Sequence, residues 1–270
     1  MLSELPHRRM RTIVIIPQFL VTDELVELAD NCIKSYRENT DAFIISVDDS
    51  GEYQKAKDAD KVLKTSDLVL RMPKNGGFAK SCNLGFNRAI KEDAYIVCSN
   101  NDILVHDRVI PELKRPFETF ENVAISGLWS TKSTNFEGIP LRDFNGGRMS
   151  EGGLLEDRMQ DGGLWMSTSS ILRKIGLFDE RFIRGGYEDV DLFLRARDTF
   201  GMKIVMSNRA IYWHKQGATR WNSEKIGAVN DFGLESKSIE SGNLERFIEK
   251  WGFDPHKGQI WKDIELKEQI

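Results

Sequence analysis

Thr12-Ile-Val-Ile-Ile-Pro17 is an unbroken β-branched run that stops at a proline. A strand with one wet face alternates apolar and polar residues, whereas a continuous run belongs to a strand covered on both faces, as in a parallel sheet. Downstream, Leu25, Leu28, Ala29, Cys32, Ile33 and Tyr36 fall at helical spacing, with Asp23 as the expected N-cap. Phe43–Val47 is a second strand, ending at Asp48-Asp49-Ser50-Gly51, and Leu68–Leu70 is a short third one. Asn75-Gly-Gly77 reads as a turn before a helical stripe of Phe78, Cys82, Phe86, Ala89 and Ile90. Tyr95–Cys98 is a fourth strand, and it stops at Ser99-Asn-Asn-Asp102. The order strand, helix, strand, strand, helix, strand predicts a doubly wound, Rossmann-like α/β sheet, mostly parallel and flanked by helices. Ligands of such sheets bind beyond the carboxyl ends of the strands. Pro17, Asp48-Asp49 and Asn100–Asp102 are therefore expected at one crevice.

Residues 130–163 differ in kind: rich in Gly, Ser, Thr, Asn and charge, without a period. A segment of that length inside a compact domain is usually functional. Order resumes at Leu164-Trp-Met166, a short helix is expected over Ser169–Ile175, and Gly185-Gly186 leads into another running to about Phe200. Lys203–Met206 and Ala210–Trp213 read as two strands, the second followed by His214. The polar tail from Asn222 carries an expected helix near Leu244–Trp251. We divide the chain at 221: a core domain (11–125 and 126–221 as its halves) and a helical extension over 222–270.

A formal net charge of −4 argues against a protein that coats nucleic acid, although His7–Arg11 forms a local basic arm. Cys32, Cys82 and Cys98 are odd in number and each lies in an apolar pattern, which suits reduced core thiols and not a disulfide framework or zinc site. No apolar run approaches the roughly 18–20 residues that span a bilayer, and no leader pattern opens the chain. The expectation is a cytoplasmic protein, with peripheral contact at the inner face of a membrane left open.

Three clusters carry chemistry. Asp102 beside two amides at a strand end suits a hard divalent cation, though Asn and Asp also favour plain turns. Glu188-Asp189-Val190-Asp191 places three acids in the first turn of a helix. Dipole complementarity explains acids there, and Asp191 pairs with Arg195 at i, i+4. Gly185-Gly186 just before them permits close approach by a ligand, and a carboxylate so placed can act as general base. His214 is either a structural histidine or a further metal ligand. The glycines before Phe78 suit an anion but match no phosphate-binding fingerprint.

Together, IVIIP (13–17), VDDSG (47–51), NGGFAKSCNLGFNRA (75–89), SNND (99–102), GGLWM (162–166), GLFDERF (176–182), GYEDVDLFLRA (186–196) and YWH (212–214) resemble the GT-A-fold glycosyltransferases of family 2, in their rhamnosyltransferase-like branch. The resemblance covers roughly residues 11–215. It implies an inverting transferase that moves a sugar from a nucleoside-diphosphate sugar, UDP-linked by expectation, to an acceptor hydroxyl. Asp102, Asn100 and His214 would hold Mn²⁺ or Mg²⁺, with Asn100 standing where relatives carry an acid. Pro17, Asp48, Asp49, Asn75, Lys80 and Asn101 would line the donor nucleotide, and Asp49 would accept the N3–H of the base. After Pro17, Phe19 keeps the family's aromatic, while Leu20 replaces its amide. Asp189 would be the general base, Glu188 would orient the site or bind an acceptor hydroxyl, and Trp165 would either stack on a sugar or pack in the core. Residues 130–163 would close as a lid, and Lys215 and Arg220 would either reach phosphate or serve as ordinary surface charge.

Two other readings compete with this one. A sugar-phosphate nucleotidyltransferase would carry a glycine-rich loop with Arg after the first strand, where this chain has Pro17-Gln-Phe-Leu-Val21. A non-catalytic sugar-nucleotide or glycan-binding relative is suggested only by the amide at Asn100. The acceptor stays open among glycan, lipid-linked glycan, protein and, less expected, modified nucleic acid, as does homo-oligomerisation.

Overall fold

The computed structural model describes residues 10–132, 154–156, 162–219, 222 and 236–257. Its spine is one sheet of nine strands among these residues, ordered β3-β2-β1-β4-β8-β6-β9-β5, with β7 also paired to β9. The strands are β1 (Arg11–Gln18), β2 (Phe43–Asp48), β3 (Leu68–Arg71), β4 (Ala94–Ser99), β5 (Ile103–Leu104), β6 (Val123–Thr131), β7 (Leu154–Glu156), β8 (Leu164–Thr168) and β9 (Lys203–His214). β2, β1 and β4 run parallel, with β3 parallel at the edge. β8 enters antiparallel between β4 and β6.

The opening run behaves as its composition requires. Val14 and Ile16 point to one face, against Val26, Ala29, Ile33 and Tyr36 of α1 (Asp23–Asn39) and Leu113 of α4 (Val109–Thr119). Ile13 and Ile15 point to the other, against Cys82 and Phe86 of α3 (Phe78–Ala89), Leu172 of α5 (Ser169–Ile175) and Phe193 of α6 (Glu188–Leu194). Both faces of the sheet are thus closed by helices, and the central strands have no polar side. The three thiols are buried and free, with Cys82 and Cys98 Sγ atoms 3.8 Å apart.

Several boundaries differ from expectation. Thr22, not Asp23, caps α1: its extended backbone lets its hydroxyl accept from Leu25 N at 3.3 Å, leaving Asp23 in the first turn to face the dipole. A short α2 (Ala59–Leu63) separates β2 from β3. α4 was not expected, because Pro111 and Pro116 mask its period; Pro116 sits inside the helix. β9 is one strand instead of two, since its pairing to β6 merely shifts register beyond Ser207. α6 continues through a π-helical turn, Arg195–Thr199, so the helix reaches the expected region by a different winding. The tail helix, α7 (Ser236–Trp251), begins before Leu244 and packs Phe247 against Phe182 and Leu194. No helix of the described residues is long and apolar enough to cross a membrane.

Candidate active site

Because β2, β1 and β4 are parallel neighbours, Pro17, Asp48 and Asn100–Asp102 emerge at one edge of the sheet, as the alternation required. β5 then turns back along β9, and its Ile103 pairs with His214. That pairing brings a residue 111 positions further along the chain beside the end of β4. His214 Nε2 lies 3.2 Å from Asp102 Oδ1 and 3.3 Å from Asn100 Nδ2, and all three residues are at least partly buried. One imidazole nitrogen cannot donate to the carboxylate and accept from the amide at once. Asn100 Oδ1 is buried with no hydrogen-bond partner. Three donor groups converging on one point, one oxygen unspent, form a set that fits a divalent cation. Among the described residues no three His, Cys, Asp or Glu side chains group closely enough to hold a metal by themselves. A cation here would need oxygens from a ligand as well.

The base of this site is rigid. Asn100 N donates to Gly163 O at 2.8 Å, and the Asn100 carbonyl accepts from Ser99 Oγ and from Cys32 Sγ. Asn101 is buried, and its Nδ2 donates to Gln18 Oε1 at 3.1 Å, so it braces β1 against β4.

On the donor side, Asp48 is held by Arg71, whose Nη1 is 2.5 Å from Oδ2, and more loosely by Lys55. Asp49 clamps the glycine turn: Oδ1 accepts from Gly76 N at 2.7 Å and Oδ2 from Gly77 N at 2.9 Å. Asn75 Nδ2 donates to the Asp49 carbonyl at 2.7 Å. Burial pushes the Asp49 carboxyl up to about 7; the two backbone N–H bonds oppose this and the charges of Asp48 and Glu52 add to it. Asp49 thus already spends both oxygens on shaping the loop. Pro17 is half-buried at the end of β1. Phe19 packs edge-on to Tyr53, and Leu20 is buried in the core, so neither offers a side chain to a nucleotide. Lys80, exposed on α3, lines a cavity of about 610 Å³ with Ile183, Arg246 and Lys250, apart from the Asp102 cluster.

The acidic turn opens α6. Glu188 is buried, with Oε2 unpartnered, and burial followed by the charge of Asp189 pushes its carboxyl up to about 8. Asp189 Oδ1 accepts from Val190 N at 2.8 Å, while Oδ2 lies against Gly162, where a Cβ would come within 2.2 Å of it. Gly162 and Gly163 therefore connect the two halves: one abuts Asp189 and the other holds Asn100. No local sequence pattern marks a role for this glycine pair. Arg71 was missed too, although a charged residue ending an apolar strand is the same signal that marked Asp48 and Asp102.

For Trp165, burial favours the core-packing reading. Trp165 is fully buried, edge-on to Phe178 and Phe193 and against Phe86. β8 is a central strand covered on both faces, so its aromatic is core and no sugar platform. Lys215 is exposed near Glu24, its Nζ 3.9 Å from Oε1. Arg220, and most of the 130–163 segment expected to act as a lid, lie outside the described residues.

The sequence profile described as glycosyl transferase family 2 matches residues 13–176, more than half of the chain. The chain belongs to glycosyl transferase family 2. No protein of curated function matches it by sequence. Solved structures similar to this family 2 chain share its GT-A fold at low identity. GalNAc-T7 with UDP, GalNAc and Mn²⁺ superposes with a TM-score of 0.60 at 13% identity, over 76% of this chain and 43% of its own. The mannosyltransferase PcManGT from Pyrobaculum calidifontis, in complex with GDP-Man and Mn²⁺, gives 0.58 at 14%, over 90% and 70%. Glucosyl-3-phosphoglycerate synthase from Mycobacterium tuberculosis, with Mg²⁺ and UDP, gives 0.54 at 14%, over 90% and 80%. The chain thus spans less than half the length of the first of these.

Proposed function

We propose that this family 2 glycosyltransferase is inverting and metal-dependent, moving a sugar from a nucleoside diphosphate sugar, UDP-linked in the first instance, to an acceptor hydroxyl. The observation that carries the reading is the glycine pair at 162–163, with Asp189 against one residue and the Asn100–Asp102 strand end hydrogen-bonded to the other. A base and a diphosphate-binding edge joined through two adjacent glycines suit a single displacement at an anomeric carbon. UDP in two of the similar structures and Mn²⁺ or Mg²⁺ in all three support the donor class.

In this reading Asp189 takes the proton of the acceptor hydroxyl as that oxygen bonds to the anomeric carbon. The bond from that carbon to the diphosphate oxygen breaks in the same step, and the negative charge leaves with the diphosphate. One displacement inverts the configuration and needs no covalent intermediate. Glu188, kept protonated near neutrality by burial, donates a hydrogen bond to the acceptor and carries no charge that would compete with Asp189 for its proton. Asp102, His214 and Asn100 Oδ1 would hold the cation, which when bound stabilises the charge on the departing diphosphate. An imidazole ligand favours Mn²⁺ over Mg²⁺. Asp49 and Asn75 shape the donor loop, and Arg71 neutralises Asp48 beside it.

The test is a thermal-shift panel of UDP-, dTDP- and GDP-sugars with and without Mn²⁺, on the wild type and on Asp102→Ala. Donor at about 100 times its dissociation constant stabilises by roughly 2.7 kcal/mol. The expected outcome is a Mn²⁺-dependent shift with UDP-sugar that Asp102→Ala loses. No shift with any nucleotide sugar overturns the donor reading, and an unchanged Mn²⁺ effect in the variant removes Asp102 from the metal set.

A further inference from the structure

The backbone entering the acidic turn is unusual. Arg184, Gly185, Gly186 and Tyr187 all have positive φ, at 64°, 138°, 108° and 74°. Two of the four are not glycine, and L-residues resist this region unless their surroundings hold them there. The tail helix supplies that hold. Asn243, fully buried on α7, accepts from Ile183 N at 3.0 Å and donates to Ile183 O at 2.9 Å and Gly185 O at 3.2 Å. Its Oδ1 also accepts from Arg246 Nη1 at 3.1 Å, which fixes the amide's orientation.

The far end of α7 grips the next turn. Trp251 Nε1 donates to Asp191 Oδ1 at 3.0 Å, and Lys250 Nζ lies 2.7 Å from the same oxygen and 2.8 Å from Asp179 Oδ2. Arg195 takes the other Asp191 oxygen at 3.0 Å. The run is tied to the donor side as well: Phe78 N donates to Arg184 O at 3.2 Å, and a Cβ on Gly77 would stand 2.6 Å from Arg184 Cα. Asp49, the glycine turn, the left-handed run and Asn243 thus form one connected unit ending at Asp189.

We propose that Asn243 is a positioning residue for the transfer: by pinning the left-handed run 184–187 it fixes where the Asp189 carboxylate stands. The inference rests on the reading of Asp189 as the base. An amide is the side chain this task requires, because the segment presents one N–H and two carbonyls, and only an amide both accepts and donates twice. α7 is then part of the active site's frame.

The test compares Asn243→Ala, Asn243→Ser and Asp189→Asn with the wild type. Turnover is read as nucleotide release from the sugar nucleotide that the thermal-shift panel selects, and donor affinity with Mn²⁺ by calorimetry. We expect kcat to fall at least tenfold in Asn243→Ala and less in Asn243→Ser, whose hydroxyl keeps part of the clamp, with donor Kd within about twofold of wild type. If Asn243→Ala fails to fold, Arg184→Gly/Asn243→Ala is compared with Arg184→Gly, since glycine adopts φ 64° without strain. Wild-type kcat in the Asn243 variants with an inactive Asp189→Asn overturns the positioning role alone. Parallel loss of affinity, melting midpoint and kcat also overturns it, since it marks a general structural role. Wild-type kcat in Asp189→Asn overturns the base assignment, and this inference with it.

Discussion

Gly162→Ala tests the placement of the base with a single methyl group. Built on the existing backbone, that methyl stands 2.2 Å from Asp189 Oδ2, 2.9 Å from Cγ and 3.1 Å from Cβ. Non-bonded heavy atoms rest roughly 3.5 Å apart, so the carboxylate must retreat by about 1 Å. The group that yields is the end of a side chain, and Gly162 is not left-handed, so the fold loses little. A reacting group misplaced by about 1 Å costs on the order of 100-fold in rate, or ~2.7 kcal/mol of transition-state stabilisation. The expected result is therefore a split: kcat falls about 100-fold while the melting midpoint and Mn²⁺-dependent donor binding stay near wild type. Steady-state kinetics, calorimetry and thermal denaturation on one preparation read all three. A kcat within twofold of wild type would refute the reasoning, because it would mean that Asp189 does not act from the position it occupies here.

Two further outcomes follow from burial. Glu188 titrates near 8 in the fold against an ordinary 4.5, so between those values the folded chain keeps a proton that the unfolded chain releases. Stability then falls as pH rises through that window, by at most about 1.4 kcal/mol per pH unit. Glu188→Gln removes the effect: its advantage in melting midpoint should be absent near pH 4.5, grow to about pH 8 and level off, and a difference that is flat with pH would sink the assignment. Trp165→Ala should cost about 3–5 kcal/mol as a core truncation, while Trp165→Phe keeps wild-type kcat and KM; a selective loss of acceptor binding in the Phe variant would restore the sugar-platform reading.

The parallel half of the sheet was legible because its signal is local. Ile13–Ile16 have no polar alternate, and two faces covered by α1 and α3 are the physical cause. The strand-end acids were legible for the same reason, since charge cannot follow an apolar run into the core. Trp165 stayed undecided between sugar platform and core, because its burial depends on β8 lying between β4 and β6, which no local pattern states. α4 hid behind its prolines. Asn243 carried no sequence signal at all, because a helical asparagine shows its purpose only when the carbonyls it meets are in place.

The position of β8 also bears on how the chain is made. β4 is complete at Ser99, but the strand that covers its open edge begins at Leu164, and β6, finished by Thr131, waits for the same partner. During synthesis two apolar strands therefore emerge with unpaired N–H and C=O groups along facing edges, the arrangement most open to pairing with another chain. Only when residues 164–168 enter between them are β4 and β6 joined into one sheet. A chain cut short between 132 and 168 would leave both facing edges open, and the outer edge of β6 stays unpaired until β9, residues 203–214, is added.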